Sequence, residues 1–178
     1  MRGANDGKLP KLIFNSRWIP EKSDSGQAYF SLRAVAHPDV TLGADYRPLS
    51  EDVGLLATWR VFSETDKWPA LVVGTSHDDF TDGDEEVDSQ TLYGSLSKYL
   101  GDLGPVEVAP YIGGAYIFEL DDLRLLGGIN LRYKDWSLLA QYSGTDTHLT
   151  AGWDFDSIRI SAVYWGLKYP GLAATWRY

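Results

Sequence analysis

The chain has 178 residues, enough for one domain, and no cysteine, which removes disulfides, thiol chemistry and Cys-based zinc sites. A formal net charge of -9 excludes nucleic acid as the main partner, because phosphate binding needs clustered positive charge. Seven Trp, eleven Tyr and six Phe beside 18 Gly and one Met make a strand-rich balance, and a mean hydropathy of -0.25 does not exclude a membrane, since a transmembrane barrel needs only alternate residues apolar.

Apolar runs fall far short of the roughly 18 residues of a membrane helix, so none is expected. No secretory leader is read at the N-terminus, and the sequence is expected to be that of a mature form or of an expressed form with Met1 as its start residue. After a short tail over 1–10, period-two alternation bounded by turn residues predicts twelve strands in a single domain. The first four fall at 11–18, 27–36, 39–46 and 53–63. Trp18 and Tyr46 stand near strand ends, and Arg17, Arg33, Asp45 and Arg60 take the polar parity.

A fifth strand at 69–76 leads into Asp78–Asp88, with seven acids in eleven residues. Several carboxylates suit a hard cation, but Phe80 breaks the order of a calcium loop and no Glu closes it, so a solvated loop over 77–89 is expected and no metal site. In the sixth strand, 90–99, Tyr93 and Tyr99 oppose the parity of Leu92 and Leu96, and a bulge is expected there. The seventh, 105–118, carries Glu107 and Tyr116.

The later strands, 122–133, 135–142, 146–154, 157–165 and 171–178, alternate most clearly. Leu123, Leu125, Ile129 and Tyr133 oppose Arg124 and Arg132; Leu149 and Trp153 oppose His148 and Asp154; Ile158, Ile160 and Tyr164 oppose Arg159. The chain then ends on a strand in which Leu172, Ala174, Trp176 and Tyr178 share one face and Arg177 the other.

The expected fold is therefore all-β, a twelve-stranded antiparallel up-and-down transmembrane β-barrel. From a periplasmic N-terminus, Trp18, Tyr46, Tyr116 and Tyr164 map to the external aromatic girdle, and Tyr133, Trp136, Trp153, Trp176 and Tyr178 to the periplasmic one. Arg33, Arg60, Arg124, Arg132, Arg159 and Arg177 then point into the lumen with Asp45, Glu107, Asp154 and His148, because an arginine on lipid at the midplane costs about 2 to 4 kcal/mol. Such a lumen suits anionic or hydroxyl-rich ligands, since guanidinium forks match carboxylates and hydroxyls. A salt-bridged interior that simply fills the bore is the other reading. His148 with Thr150 and Asp146 nearby makes a base, a hydroxyl and an acid, without a supporting motif.

Trp68-Pro69-Ala70-Leu71-Val72-Val73-Gly74, followed after the acidic run by Gln90-Thr91-Leu92-Tyr93-Gly94-Ser95-Leu96-Ser97-Lys98-Tyr99, resembles the YjbH-type exopolysaccharide-associated outer-membrane proteins. Ile129–Tyr133 with Trp136–Tyr142 is similar to hairpins of that family, whose members are usually considerably longer. The resemblance implies a role in polysaccharide secretion or envelope assembly and carries no catalytic residue or cofactor.

The leading expectation is a non-enzymatic channel or scaffold in the bacterial outer membrane. Its expected partners are membrane lipid, an anionic or polysaccharide ligand and, through the C-terminal strand, the barrel-assembly machinery. The alternatives are a lipid-modifying enzyme using His148 and a soluble ligand-binding barrel.

Overall fold

A computed structural model describes residues 11–22, 25–82 and 85–178. The strands are β1 (Leu12–Trp18), β2 (Ala28–His37), β3 (Val40–Arg47), β4 (Asp52–Phe62), β5 (Ala70–Asp82), β6 (Glu85–Ser97), β7 (Gly101–Leu103), β8 (Val106–Ile117), β9 (Asp122–Tyr133), β10 (Trp136–Tyr142), β11 (Thr147–Phe155), β12 (Ile158–Trp165) and β13 (Tyr169–Arg177). Every pairing is antiparallel, β6 pairs with β8, and β1 closes on β13. Twelve strands thus form a closed up-and-down barrel, while the three residues of β7 pair with the start of β8.

Tight turns set the register. Lys134-Asp135 joins Tyr133 to its ladder partner Trp136, and Asp156-Ser157 joins Phe155 to Ile158. Lys134 and Asp156 take φ of 52° and 44°, the left-handed geometry that matches the twist of the flanking strands. At the seam the amides of Lys11 and Leu12 donate to Tyr178 O at 2.6 and 3.0 Å, and Tyr178 N donates to Leu12 O at 2.9 Å. Closure leaves the wall without an open edge, which would otherwise offer unpaired backbone groups to another chain.

The side-chain distribution is inside-out. Among the described residues the buried apolar set is Ile19, Leu56, Phe80, Ala115, Ile117 and Val163, whereas Val53, Leu55, Leu123 and Leu125 are about seven-tenths exposed on the outer face. Period two explains this, because each ladder pair shares a face: the rows of Leu123, Leu125 and Ile129, and of Leu172, Ala174 and Trp176, all point away from the lumen. The expected girdle residues follow the same parity. Tyr133, Trp136 and Trp153 are successive ladder partners, and the two indoles stack at 5.0 Å. Trp18, Tyr46, Tyr164, Trp176 and Tyr178 are exposed, while Tyr116 is half-buried edge-on to Phe118.

Two expectations are corrected. β6 runs against β5 and β8 without a register shift up to Ser97, so Tyr93 needs no bulge and simply points inward. The slip comes later: from Ser97 to Gly101 the chain advances four residues while its partners retreat three, from Tyr111 to Val108, and Gly101 takes φ 112° there. The expected loop over 77–89 is a paired hairpin as well, with β5 and β6 in register from Ala70↔Ser97 to Asp82↔Glu85.

Candidate functional site

The lumen has two dissimilar ends. At the terminal end, where β1 begins and β13 stops, Asp154 of β11 gathers three arginines from β9, β12 and β13. Arg159 donates from Nη2 to Oδ2 at 2.5 Å and from Nε to Oδ1 at 3.0 Å, and Arg177 Nη2 donates to Oδ1 at 3.0 Å. Arg132 Nη2 lies 3.5 Å from Oδ2. Beside the cluster, a Cβ at Gly152 would crowd Ser161 Oγ at 3.0 Å and Ser137 Oγ at 3.1 Å. Glu107 faces Arg132 across the β8–β9 ladder. Both line a chamber of about 890 Å³ that opens at this end. Beside it, Tyr99 donates to Asp102, and that bond pushes the phenol up to about 12.

At the opposite end the wall gives way. The β4–β5 ladder stops at Ala57↔Thr75, although β4 continues to Asp52 along β3. The Gln90 amide takes the place of the missing partner: Leu55 N donates to its Oε1 at 3.0 Å, and its Nε2 donates to Leu55 O at 2.8 Å and Ser76 O at 2.7 Å. With those backbone groups satisfied, the β5–β6 hairpin leaves the wall and tips across the mouth.

Both faces of the hairpin are held. On one, Arg47 of β3, 1% exposed, donates to Asp88 Oδ1 at 2.7 Å and to His77 O at 2.6 Å. His77 Nδ1 lies 3.3 Å from Asp45 Oδ1, which also accepts from Gly54 N at 2.9 Å. The hairpin passes so close over Gly54 that a Cβ there would fall 2.2 Å from the His77 Cβ. On the other face Ser89 donates to Glu119, and the Phe80 ring lies under the Arg124 guanidinium at 5.8 Å.

At this same end an aromatic and cationic cluster lines one side of the bore. Arg17 Cζ sits 4.1 Å from the Trp165 ring and 5.1 Å from that of Tyr29, and Trp165 in turn packs on His148 at 3.9 Å. Below the hairpin lies a chamber of about 440 Å³, whose walls include Arg33, Asp78, Tyr93, Tyr111, Gln141 and Trp165. Ser95 and Tyr111 line both chambers, so the two are neighbours along the bore.

His148 Nε2 lies 3.1 Å from Ser143 Oγ, the spacing of a nucleophile and its base, but its other nitrogen fixes the tautomer. Gly166 N donates to Nδ1 at 2.9 Å, so the neutral ring carries its proton on Nε2 and donates to the serine. A base would need the Nε2 lone pair facing that hydroxyl. The arrangement orders the rim turn, where Ser143 Oγ also contacts Asp146 O and N at 3.2 and 3.4 Å.

Of the expected lumen residues, Asp45, Asp154 and His148 are inward and largely buried, Arg132, Arg159 and Arg177 form one cluster, and Arg33 stands apart in the upper chamber. Arg124 faces inward at the mouth, paired with Asp122 at 2.8 Å. Arg60 keeps the parity of Leu56 and Thr58, in register with Val72 just before the β4–β5 shift, and stands half-exposed at the rim, where it bonds Asp39 Oδ1 and Pro38 O. Arg47, Gln90, Tyr93 and Tyr111 were not expected. Parity alone places Tyr93 and Tyr111 inside, whereas Arg47 ends its strand and reads as loop. Comparison of the chain with family models, with curated proteins and with solved structures finds no match.

Proposed function

We propose that the chain is a non-enzymatic barrel of the bacterial outer membrane, a channel or scaffold whose polar lumen is covered at its external end by the β5–β6 hairpin. One observation carries this reading: large apolar side chains ring the outside while charged and hydroxyl groups fill the inside. In water that outer surface would remain exposed, and a soluble barrel would have to expose an apolar patch far beyond the few hundred Å² a monomer tolerates. In lipid the same surface is matched, with aromatic rows at both rims. The resemblance to exopolysaccharide-associated barrels supports a role in polysaccharide secretion or envelope assembly.

The test is refolding into zwitterionic detergent and then into liposomes carrying brominated acyl chains. The expected result is detergent-dependent solubility, a heat-sensitive shift in gel mobility, and quenching of the outward tryptophans by the bromines. A chain that stays monodisperse in water without detergent and escapes quenching would overturn the membrane reading.

A further inference from the structure

The lumen arginines differ in one respect that their sequence pattern does not show. Arg132, Arg159 and Arg177 share Asp154, Arg47 holds Asp88, and Arg17 lies between two aromatic rings. Arg33 has no such partner: among the described residues no carboxylate lies within ion-pair distance of it, and its buried Nε makes no hydrogen bond. Its stem crosses Gly43, where a Cβ would fall 2.9 Å from Arg33 Cγ, and its head is at the wall of the 440 Å³ chamber. A buried donor without an acceptor is costly, and an anion in the chamber supplies the acceptor that the Arg33 guanidinium lacks.

The other walls narrow the ligand. Ser76 donates to Asp78 at 2.6 Å and shares a hydrogen with Thr91 at 2.8 Å, and Tyr93 is bonded to Thr58 at 3.0 Å, so these groups are engaged. Ser95, Tyr111 and Gln141 make no side-chain hydrogen bond among the described residues and face the same space. Two hydroxyls, an amide and the Tyr111 ring suit a hydroxylated ring. A single unpaired cation with the Asp78 carboxylate in the same chamber suits one negative charge and disfavours a dianion. The volume is near the small end of the roughly 300 to 1,000 Å³ of ligand pockets, room for a single small molecule.

We propose that this chamber binds a hydroxylated monocarboxylate of the size of one acidic sugar, with the carboxylate on Arg33 and hydroxyls on Ser95, Tyr111 and Gln141. The proposal rests on the reading of the lumen as a ligand path. Entry is from the wider chamber at the terminal end, since Ser95 and Tyr111 belong to both and the hairpin covers the other mouth.

Calorimetric titration of the full chain, folded in a sugar-free amine-oxide detergent, tests it with glucuronate, glucose and inorganic phosphate as probes. Glucuronate is expected to bind saturably at one site, and Arg33→Met to weaken it at least about tenfold while leaving the weaker glucose binding unchanged. Gln141→Leu is expected to weaken both sugars several-fold, and decides the matter if Arg33→Met fails to give a cooperative melt. Absence of saturable glucuronate binding, equal affinity in Arg33→Met, or phosphate binding more tightly than glucuronate would overturn the proposal. A barrel that inserts into liposomes yet ignores glucuronate loses only this inference. One that binds glucuronate but stays in water loses only the membrane reading.

Discussion

The two ends of the lumen use the same chemistry to opposite effect. At the terminal end Asp154 and its three arginines belong to strands whose ladders run unbroken, so the ion pairs lock wall to wall. At the hairpin end, Arg47 and Asp88 join the wall to a segment that has left it, and Gln90 stands in for the ladder partner that Leu55 lost. An ion pair inside a continuous sheet contributes to global stability. An ion pair across a break sets how often that break opens.

Three substitutions sharpen this contrast. Asp154→Ala leaves three converging guanidinium groups without their shared acceptor, and the expected effect is the largest, about 3 kcal/mol of lost global stability by denaturant unfolding in detergent. Arg47→Ala acts locally: hydrogen exchange at 76–90 is expected to accelerate at least about tenfold while exchange in β9 to β12 is unchanged, and single-channel conductance in planar bilayers rises. If the whole barrel loses stability in Arg47→Ala, or if conductance stays at the wild-type level with the hairpin exchanging freely, the distinction between lock and latch collapses. Arg60→Ala is the small end of the series, because its pair with Asp39 is half-exposed at the rim; the same unfolding experiment is expected to show about 0 to 1 kcal/mol.

The wall was legible in the chain because one rule repeats along it. Leu123–Tyr133 and Leu172–Tyr178 alternate cleanly, and every expected strand is present, with Tyr133, Trp136 and Trp153 in one outward row. The same rule put Arg132, Arg159, Arg177 and Asp154 on the inner face, but parity states only which face a side chain takes. It does not say that four strands bring these four groups within 3.5 Å, or that Arg60 spends its charge at the rim on the Pro38–Asp39 turn.

The acidic hairpin was misread for a related reason. Asp78–Asp88 has only Phe80 and Val87 among acids, a threonine and a glycine, so alternation is too weak to read there, and composition alone points to a solvated loop. Its strands are specified from outside, by Arg47, by the His77–Asp45 contact and by the bare Gly54 surface beneath it. These groups lie about thirty residues from their partners in sequence, and only closure of the barrel brings them together.

By itself, then, the chain determined strand number, the inward and outward faces, the aromatic rows and the antiparallel order, because side-chain direction in a strand depends on nothing more distant than the neighbouring residue. The tertiary structure alone decided which cations are neutralised and which one is left facing an open chamber. Charges interact through space over a few ångströms, and the separations across the bore are set by closure, not by spacing along the chain.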